Sequence, residues 1–428
     1  MSDDVKRNDG GAGTPTAGRR QFLQKSSALG AAALMAMLPP GVRNAAWAAG
    51  SDAPEKKEVK VGFIPLTDCA SVVMASVLEF DKKYGIKITP TKEASWASVR
   101  DKLVNGDIDA SHVLYGLIYG LHLGVSGPKK DMAILMTLNH NGQAITLSKK
   151  LADKGGVDGP SVAALMQKEK REYTYAHTFP TGTHAMWLYY WLAANGVHPF
   201  KDVKTITVPP PQMVANMRVG NMDGYCVGEP WGHRAIADGI GITGINTQDI
   251  WKDHPEKVLG CTADFVKQNP NTVRAMTAAI IDAGRWIDAS LSNRQKMADT
   301  VAATAYVNTS VDVINQRILG RYTNGLGKTW DDPNHMKFYN DGHASFPYLS
   351  DGMWFLTQHR RWGLLKSDPD YLTVAKQVNR IDIYKEAAAQ AKASVPKEPM
   401  RTSKLFDGVV WDGRDPKKYA ASFPVRVA

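Results

Sequence analysis

The apolar and polar positions of residues 59–114 predict strands that alternate with helices. Residues 59–66 (VKVGFIPL) have the pattern of a buried strand that runs into a loop, and residues 86–91 (IKITPT) predict a second strand. Between them, residues 70–84 have a helical pattern that Gly85 ends. Because strands that alternate with helices form parallel βαβ units, this stretch predicts an α/β lobe.

The next helix has clear start and stop signals. Ser95 can cap its first turn, Trp96 begins an apolar series at helical spacing, and Gly106 ends it. A strand is then predicted over 110–114. Trp96 is therefore expected on the first turn of a helix that directly follows a strand.

A similar passage occurs more than 100 residues later. Residues 103–110 (LVNGDIDA) and 217–224 (MRVGNMDG) share the order apolar, two residues, glycine, any residue, apolar, aspartate, small. This echo suggests two lobes of related α/β build. The second lobe is supplied with short strands at 173–176, 205–208 and 224–227, and with an apolar helix over 183–195 whose first turn carries His184.

The chain becomes mainly helical after about residue 263. Helices are predicted at 271–291, 294–305, 310–320, 352–362 and within 371–392. The predicted organisation is one lobe from 58–148 plus 263–396, a second lobe from 149–262, and a tail at 397–428 that lies over the surface.

The N-terminal residues resemble an export signal. Arg19 and Arg20 precede Phe22, a mostly apolar run covers 26–38, and Ala46–Ala48 has the A-x-A form of a cleavage site. Residues 1–48 are therefore predicted to be a twin-arginine signal peptide, with the mature protein starting near Ala49. No cysteine stands at the cleavage site, so a product free in the periplasm is expected.

Charge and cysteine content narrow the class of protein. The net charge is +10, but residues 1–48 contribute six basic and three acidic residues, and the other basic residues are scattered. This distribution argues against a nucleic-acid surface and is compatible with a small anionic ligand. The three cysteines, Cys69, Cys226 and Cys261, do not form a disulfide framework or a zinc spacing, although one bridge is possible.

Two exported α/β lobes suggest a cleft that closes on a small molecule. Trp96 can offer a flat ring and one N–H donor, and Gln143, in a polar loop that enters a strand, can donate two hydrogen bonds. His184 combines a ring N–H with the positive end of a helix dipole, which suits an anion. A core tryptophan, a loop-capping glutamine and a buried histidine are the competing structural interpretations.

A second group of candidates lies in 227–231 (VGEPW) and 254–260 (HPEKVLG). Gly228 allows close approach of a ligand to the backbone, Glu229 can orient His184 or Lys257, and Lys257 is a compact cation. The competing interpretations are a structural turn and a solvent-facing lysine.

Catalysis is not predicted. The sequence has no G-x-S-x-G, H-E-x-x-H or Walker motif. His177 with His184, and Asp107 with Asp109, are too isolated to specify a metal, so no metal or cofactor is expected. An enzyme on this scaffold would need Cys69 or Cys226 as its nucleophile.

Several long strings resemble one known family, the nitrate-binding proteins of bacterial nitrate ABC importers, of which the cyanobacterial bicarbonate-binding proteins are sister members. The resemblance runs from about Lys60 to past Tyr384. It is carried by GFIPLTDCA, KEASWASVRDKL, LNHNGQAITLS, HTFPTGTH, PPPQMVANM, VGEPW and FPYLSDGMWFLTQHRRWG. It implies a type II periplasmic-binding-protein fold with two lobes, a hinge and an anion in the cleft, followed here by a helical C-terminal extension.

The resemblance also implies a set of ligand-binding residues and partners. They are Trp96, Gln143, His184, Gly228, Glu229 and Lys257, and the partners are a membrane permease and its cytoplasmic ATPase. The expected ligand is nitrate, with nitrite able to use the same donors. Because nitrate only accepts hydrogen bonds, Lys257 with His184 favours it over bicarbonate, whose O–H needs an acceptor.

Three alternatives stay open. The first is a receptor for bicarbonate, nitrite or another small oxyanion, and the second is a nitrate-sensing regulator on the same fold, which would lack an export leader. The third is the enzyme already mentioned. The family's cyanobacterial members are lipid-anchored, whereas this sequence has a twin-arginine leader, which puts membrane tethering in doubt.

Overall fold

The computed structural model of the chain describes residues 53–427, so the predicted signal peptide at 1–48 lies outside the described residues. The described part contains these strands: β1 Glu58–Phe63, β2 Lys87–Lys92, β3 Ala110–Leu114, β4 Met132–Thr137, β5 Gln143–Ser148, β6 Thr174–His177, β7 Lys204–Thr207, β8 Gly224–Gly228, β9 Gly241–Asn246, β10 Lys257–Thr262, β11 Arg321–Thr323, β12 Thr329–Asp331, β13 Ser403–Lys404 and β14 Val410–Trp411.

The helices of the same region, apart from two short 3-10 turns, are α1 Ala70–Val77, α2 Phe80–Lys83, α3 Trp96–Asn105, α4 Tyr115–His122, α5 Lys149–Ala152, α6 Gly159–Glu169, α7 Thr183–Ala194, α8 Met213–Arg218, α9 Trp231–Ala237, α10 Thr247–Ile250, α11 Ala263–Gln268, α12 Pro270–Asp288, α13 Leu291–Val301, α14 Val311–Ile318, α15 Leu349–Arg361, α16 Tyr371–Val378, α17 Ile381–Ala391 and α18 Pro416–Ala421. None of these helices is long and apolar enough to cross a membrane.

Two five-stranded sheets form the centres of two lobes. Their strand orders are β2-β1-β3-β10-β4 and β7-β6-β8-β5-β9. In each sheet the fourth strand in order is antiparallel to both of its neighbours, and the other four strands run in the same direction. The sequence echo at 103–110 and 217–224 leads into β3 and β8, which hold the same central place in the two sheets. The predicted two-lobed α/β fold is confirmed.

The two antiparallel strands, β5 and β10, belong to different lobes from those predicted. The predicted first lobe includes residues 143–148, but β5 pairs with β8 and β9 in the second sheet. The predicted second lobe includes residues 257–262, but β10 pairs with β3 and β4 in the first sheet. Each strand thus joins its sheet just after the chain has crossed between lobes, a pairing that local sequence pattern does not reveal.

The two crossings lie side by side. Residues 138–142 carry the chain from β4 to β5, and residues 247–256 carry it back to β10. They are joined by backbone hydrogen bonds, from Asn141 N to His254 O (3.1 Å) and from Glu256 N to Asn139 O (3.2 Å). The segment between the lobes is therefore a paired connection that brings Gln143 and Lys257, the first residues after each crossing, near to one another.

Local signals explain the helix that starts at Trp96. The Ser95 side chain accepts from Ser98 N, and Gly106 ends the helix with φ 78° in the left-handed region that favours glycine. The predicted helix over 70–84 is instead two short helices, because Glu79 adopts a φ of 59° between them. Trp96 lies buried at the first helical position, as the capping pattern predicts.

The C-terminal tail is anchored to the body of the protein through α15. Arg401 donates to both carboxylate oxygens of Asp351, at 2.8 Å each. The buried Trp411 donates its Nε1–H to Ser350 O at 2.8 Å. The tail therefore lies against α15 with buried side chains of its own.

Candidate functional site

Side chains from the carboxyl ends of strands in both sheets meet between the lobes. Asp68 follows β1, Trp96 follows β2, His184 follows β6 and Gly228 ends β8. In open α/β sheets the ends of parallel strands are the usual place for ligand contacts. The structure brings Trp96, Gln143, His184, Gly228 and Lys257 into this region.

Lys257 is the centre of a buried ionic cluster. Its Nζ lies 2.8 Å from Asp68 Oδ2 and also contacts Glu256 Oε1, while Asp68 Oδ1 lies 2.5 Å from His112 Nε2. All four side chains have 0% exposure. Burial alone would raise the pKa of Asp68, but Lys257 and His112 outweigh it and lower that pKa to about 2.

The indole of Trp96 forms one wall beside this cluster. The Lys257 Nζ lies 5.7 Å from the centre of its ring, and the His112 ring centre lies 5.6 Å away. The indole Nε1–H is buried and has no hydrogen-bond partner among the described residues. A buried donor without an acceptor is costly, so this group points to an acceptor from a ligand.

His184 enters the site from the second lobe at the start of α7. Its Nδ1 lies 2.5 Å from Thr178 Oγ1, and its Nε2 lies 2.9 Å from Glu256 Oε1 without the alignment of a hydrogen bond. Burial, followed by the nearby Lys257, lowers the pKa of the imidazole below its usual value, so the ring is neutral near pH 7. The N-cap residue Gly182 provides no capping side chain.

Gln143 and Gly228 face each other as register partners of β5 and β8. Gln143 Oε1 accepts from Cys226 Sγ at 3.8 Å, and its Nε2 has no partner within residues 53–427. A Cβ atom at position 228 would lie 3.1 Å from Asp68 Oδ2 and 3.5 Å from His184 Nε2. Glycine at this position therefore leaves room beside Asp68 of the other lobe.

Glu229 occupies a different environment from the one expected. Its carboxylate contacts Arg317 Nε at 3.2 Å and accepts from His233 N at 3.0 Å. The expectation that it orients His184 or Lys257 is not met, because Glu256 and Asp68 make those contacts. The backbone of Glu229 still borders the cleft, since its carbonyl accepts from Thr67 N at 2.8 Å.

The two lobes are in contact around the site. Besides the Thr67–Glu229 hydrogen bond, Trp231 Nε1 donates to Pro65 O at 2.8 Å, which links the loop after β1 to the loop after β8. Exposure is 1% for both Trp96 and Gln143. Open cavities lie elsewhere on the surface, such as one of about 680 Å³ lined by His233, Tyr322 and Trp330 among others. The side chains of the site are thus shielded from bulk solvent.

Asp68, His112 and Glu256 belong to the site although the sequence did not single them out. Glu256 immediately precedes Lys257, and Asp68 lies inside the string GFIPLTDCA, so both had a signal by position. His112 had no such signal in the sequence, because a histidine within a buried strand such as β3 is usually a core residue. The carboxylates matter because they set the charge around the lysine.

The cysteines and the glycine-rich stretch of the described residues show no arrangement for catalysis by a thiol or for binding a dinucleotide. Cys69, Cys226 and Cys261 are free and buried, and burial raises the pKa of each thiol, which disfavours a nucleophilic thiolate. No group of three or more metal-ligating residues occurs in 53–427. Residues 239–244 have G-x-G-x-x-G spacing, but they run into β9 instead of leading from a strand into a helix, so they do not form a dinucleotide loop.

Comparison with known proteins relates this site to binding proteins. Residues 52–302 match the model of the NMT1-like family. The Nitrate/nitrite binding protein NrtA of Synechocystis sp. is 38% identical over 390 residues, which covers 88% of this chain and 87% of that protein. The Bicarbonate-binding protein CmpA of Synechococcus elongatus is 30% identical over 448 residues, covering 96% and 98% respectively.

The fold agrees with a solved structure from the same group. The crystal structure of the periplasmic nitrate-binding protein NrtA from Synechocystis superposes with a TM-score of 0.83 at 37% identity, covering 87% of this chain and 99% of that one. These relatives are named as binding proteins and not as enzymes. The chain therefore belongs to the NMT1-like family, and within it to the group of periplasmic binding proteins that includes the nitrate-binding proteins of bacterial ABC importers.

Proposed function

We propose that this protein is the solute-binding component of an ABC importer and that it captures nitrate between its lobes. The observation that carries the proposal is a set of buried N–H groups that converge from both lobes. The Nε1 of Trp96 and the Nε2 of Gln143 have no acceptor in the described part of the chain, and the Nε2 of His184 is not aligned with one. Nitrate is small and only accepts hydrogen bonds, so it satisfies such donors without leaving one of its own.

The affinity would come from charge-assisted hydrogen bonds in a site without bulk water. Each such bond contributes roughly 1.5–3 kcal/mol, and Lys257 adds a cation that is already desolvated. The Trp96 indole provides a flat surface beside the lysine for a planar anion. We assign binding to Trp96, Gln143, His184 and Lys257. Gly228 makes room for the anion, and Glu229 links the lobes through its carbonyl, which accepts from Thr67 N.

Bicarbonate is the second candidate, for a specific reason. Glu256 Oε2 is a buried acceptor without a donor among the residues described, and bicarbonate carries an O–H that can supply one. Three unsatisfied or free donors favour nitrate, whereas one unsatisfied acceptor favours bicarbonate. Nitrite presents the same acceptors as nitrate and is expected to bind by the same groups.

Capture and delivery follow from the two-lobed build. We propose that opening breaks the contacts of Thr67 with Glu229 and of Trp231 with Pro65, which exposes the site to the periplasm. The closed form would then dock on a membrane permease driven by a cytoplasmic ATPase. Residues 1–48 would direct export by the twin-arginine route, which N-terminal sequencing of periplasmic protein tests by its start near Ala49.

Calorimetric titration of the purified protein with nitrate, nitrite and bicarbonate tests the proposed ligand. We expect saturable one-site binding of nitrate, with weaker or no binding of bicarbonate. A thermal-shift panel with the same anions provides an independent measure, because a ligand that binds only the folded state raises the melting temperature. Binding of bicarbonate but not of nitrate would contradict the proposed ligand and identify bicarbonate as the solute.

A further inference from the structure

The charges around the site do not favour an anion as they stand. Asp68 and Glu256 are buried carboxylates with lowered pKa values, His184 is neutral, and Lys257 supplies one positive charge between the two carboxylates. Their sum, with His112, is −1 when His112 is neutral and 0 when it is protonated. In neither state is there an excess positive charge to receive nitrate, and an uncompensated buried charge is costly.

The imidazole of His184 is placed so that, once protonated, it can supply the missing positive charge. Its Nδ1 lies 2.5 Å from the Thr178 hydroxyl, which can accept a hydrogen bond, and its Nε2 lies 2.9 Å from Glu256 Oε1. An imidazolium therefore has an acceptor at Thr178 and a counter-charge at Glu256 without any rearrangement of the neighbouring elements. The unaligned Nε2–H remains available to a bound anion.

The other charged and titratable groups around His184 do not replace this role. Lys257 on β10, Asp68 after β1 and His177 on β6 interact with it directly, and the surrounding elements add His112 on β3, Cys226 on β8, His254 on the returning crossing and His359 on α15. His359 Nε2 lies 2.9 Å from Thr181 O, and burial lowers the pKa of this imidazole to about 4. Burial raises the pKa of the Cys226 thiol, and it lowers the pKa of His177 to about 3 and that of His254 to about 4. Asp68 and Lys257 are already paired with each other.

We propose that nitrate enters this site together with one proton taken from solvent, and that His184 carries this proton between Thr178 and Glu256 while the anion is bound. The inference rests on the proposed function, since it concerns how the same site receives nitrate. The step is an addition of one anion and one proton, with no covalent bond to nitrate formed or broken. Bicarbonate differs, because it arrives with its own proton.

The pH dependence follows from the sign of this coupling. In the free protein the pKa of His184 lies below 6.5, and a neighbouring anion raises it in the complex. Between those two pKa values, proton uptake accompanies binding and nitrate affinity falls by about tenfold for each unit of rising pH. Below the free-state pKa the imidazole is already charged, and affinity no longer depends on this proton.

Calorimetry in two buffers measures the proton directly. Nitrate is titrated into the purified wild-type protein at pH 7.0 in buffers of low and high ionisation enthalpy, and the difference between the observed heats gives the number of protons taken up. We expect a value close to one. Equal heats in both buffers from pH 5.5 to 8.5, with nitrate binding retained, overturn the inference but leave the proposed function intact. An absence of nitrate binding overturns the proposed function itself.

Two variants and a control locate the proton. His184→Gln keeps a hydrogen-bonding side chain but cannot titrate, so proton uptake should vanish and the pH dependence of the remaining affinity should flatten. Glu256→Gln removes one buried negative charge, so nitrate should bind with little proton uptake and with a flatter pH profile. Glu58→Gln changes the same charge on a side chain that is 74% exposed and should leave uptake near one. Unchanged proton uptake in His184→Gln would assign the proton to another group.

Discussion

The two lobes share a sheet order but contribute opposite chemistry to the site. The first lobe supplies the charges, with Lys257 and Asp68 in contact and His112 behind them. In the free protein the second lobe supplies neutral groups, the amide of Gln143 and the imidazole of His184. A repeated scaffold thus places its strand ends at the same interface, while the residues at those ends determine what each half contributes.

The central parallel strands illustrate the difference. In the first sheet β3 carries His112, whose Nε2 contacts Asp68. In the second sheet the equivalent β8 ends at Gly228, where a Cβ would lie 3.1 Å from that same aspartate. Strand β3 therefore contributes a side chain to the charged cluster, whereas β8 ends in a glycine that leaves space for Asp68 of the first lobe. This comparison predicts larger effects on binding for charge changes in the first lobe than for changes in the second.

Lys257→Ala should have the largest effect. It removes the ammonium group that contacts both Asp68 and Glu256, and it leaves these two buried carboxylates with only the imidazoles of His112 and His184 beside them. Nitrate affinity should fall at least tenfold and up to about a thousandfold, and stability should fall by about 3–5 kcal/mol. Calorimetry and chemical denaturation measure the two effects. Unchanged affinity would remove this lysine from the site.

Trp96→Phe should weaken nitrate binding by about tenfold, because it deletes one buried N–H donor but keeps a ring beside Lys257. Trp411→Phe is the matched control, since that buried indole donates to Ser350 O in the C-terminal tail. The control should lose stability but keep the affinity of the wild type. Equal losses of affinity in both variants would indicate a general structural effect.

Gly228→Ala should reduce affinity about threefold to tenfold. The added methyl group would press on Asp68 Oδ2 and Leu66 Cδ2, at 3.1 and 3.3 Å, and force small shifts between the lobes. The shift in melting temperature caused by nitrate should shrink accordingly. An unaltered shift would mean that the lobes do not need this close approach to hold the anion.

Glu229→Gln should have the smallest effect on binding, less than about twofold. Its carboxylate contacts Arg317 and not the ligand donors, so the loss should appear as about 1–3 kcal/mol of stability. Calorimetry with nitrate and denaturation of the free protein separate these quantities. A loss of affinity as large as that of Trp96→Phe would place this side chain at the ligand after all.

Periodicity and capping signals predicted most elements that position the site. The strand over 110–114, the helix that starts at Trp96 and the helix that carries His184 depend on short-range patterns, which a sequence displays directly. The membership of β5 and β10 in opposite lobes could not be read in this way. The strands that pair with β5 and β10 include ones that lie far away in sequence. The local sequence of a buried apolar strand does not indicate which strands it pairs with.

The site residues divide in a similar manner. Trp96, Gln143, His184, Gly228 and Lys257 were chosen from motifs and a family resemblance, and the structure brings them together. Glu229 is expected at the ligand because it can accept from His184 or Lys257 and because the family resemblance includes it, but just after β8 its side chain is directed to Arg317. The contribution of Asp68 and His112 depends on contacts across the sheet, which only the three-dimensional pairing of β1 with β3 provides.

A crystal structure of the protein grown with nitrate would show directly where the anion binds. We expect a planar anion enclosed between the lobes, with its oxygens within about 3.2 Å of Trp96 Nε1, Gln143 Nε2, His184 Nε2 and Lys257 Nζ. Nitrate bound at another place on the protein, or in this crevice without contact to the indole and the ammonium, would contradict it.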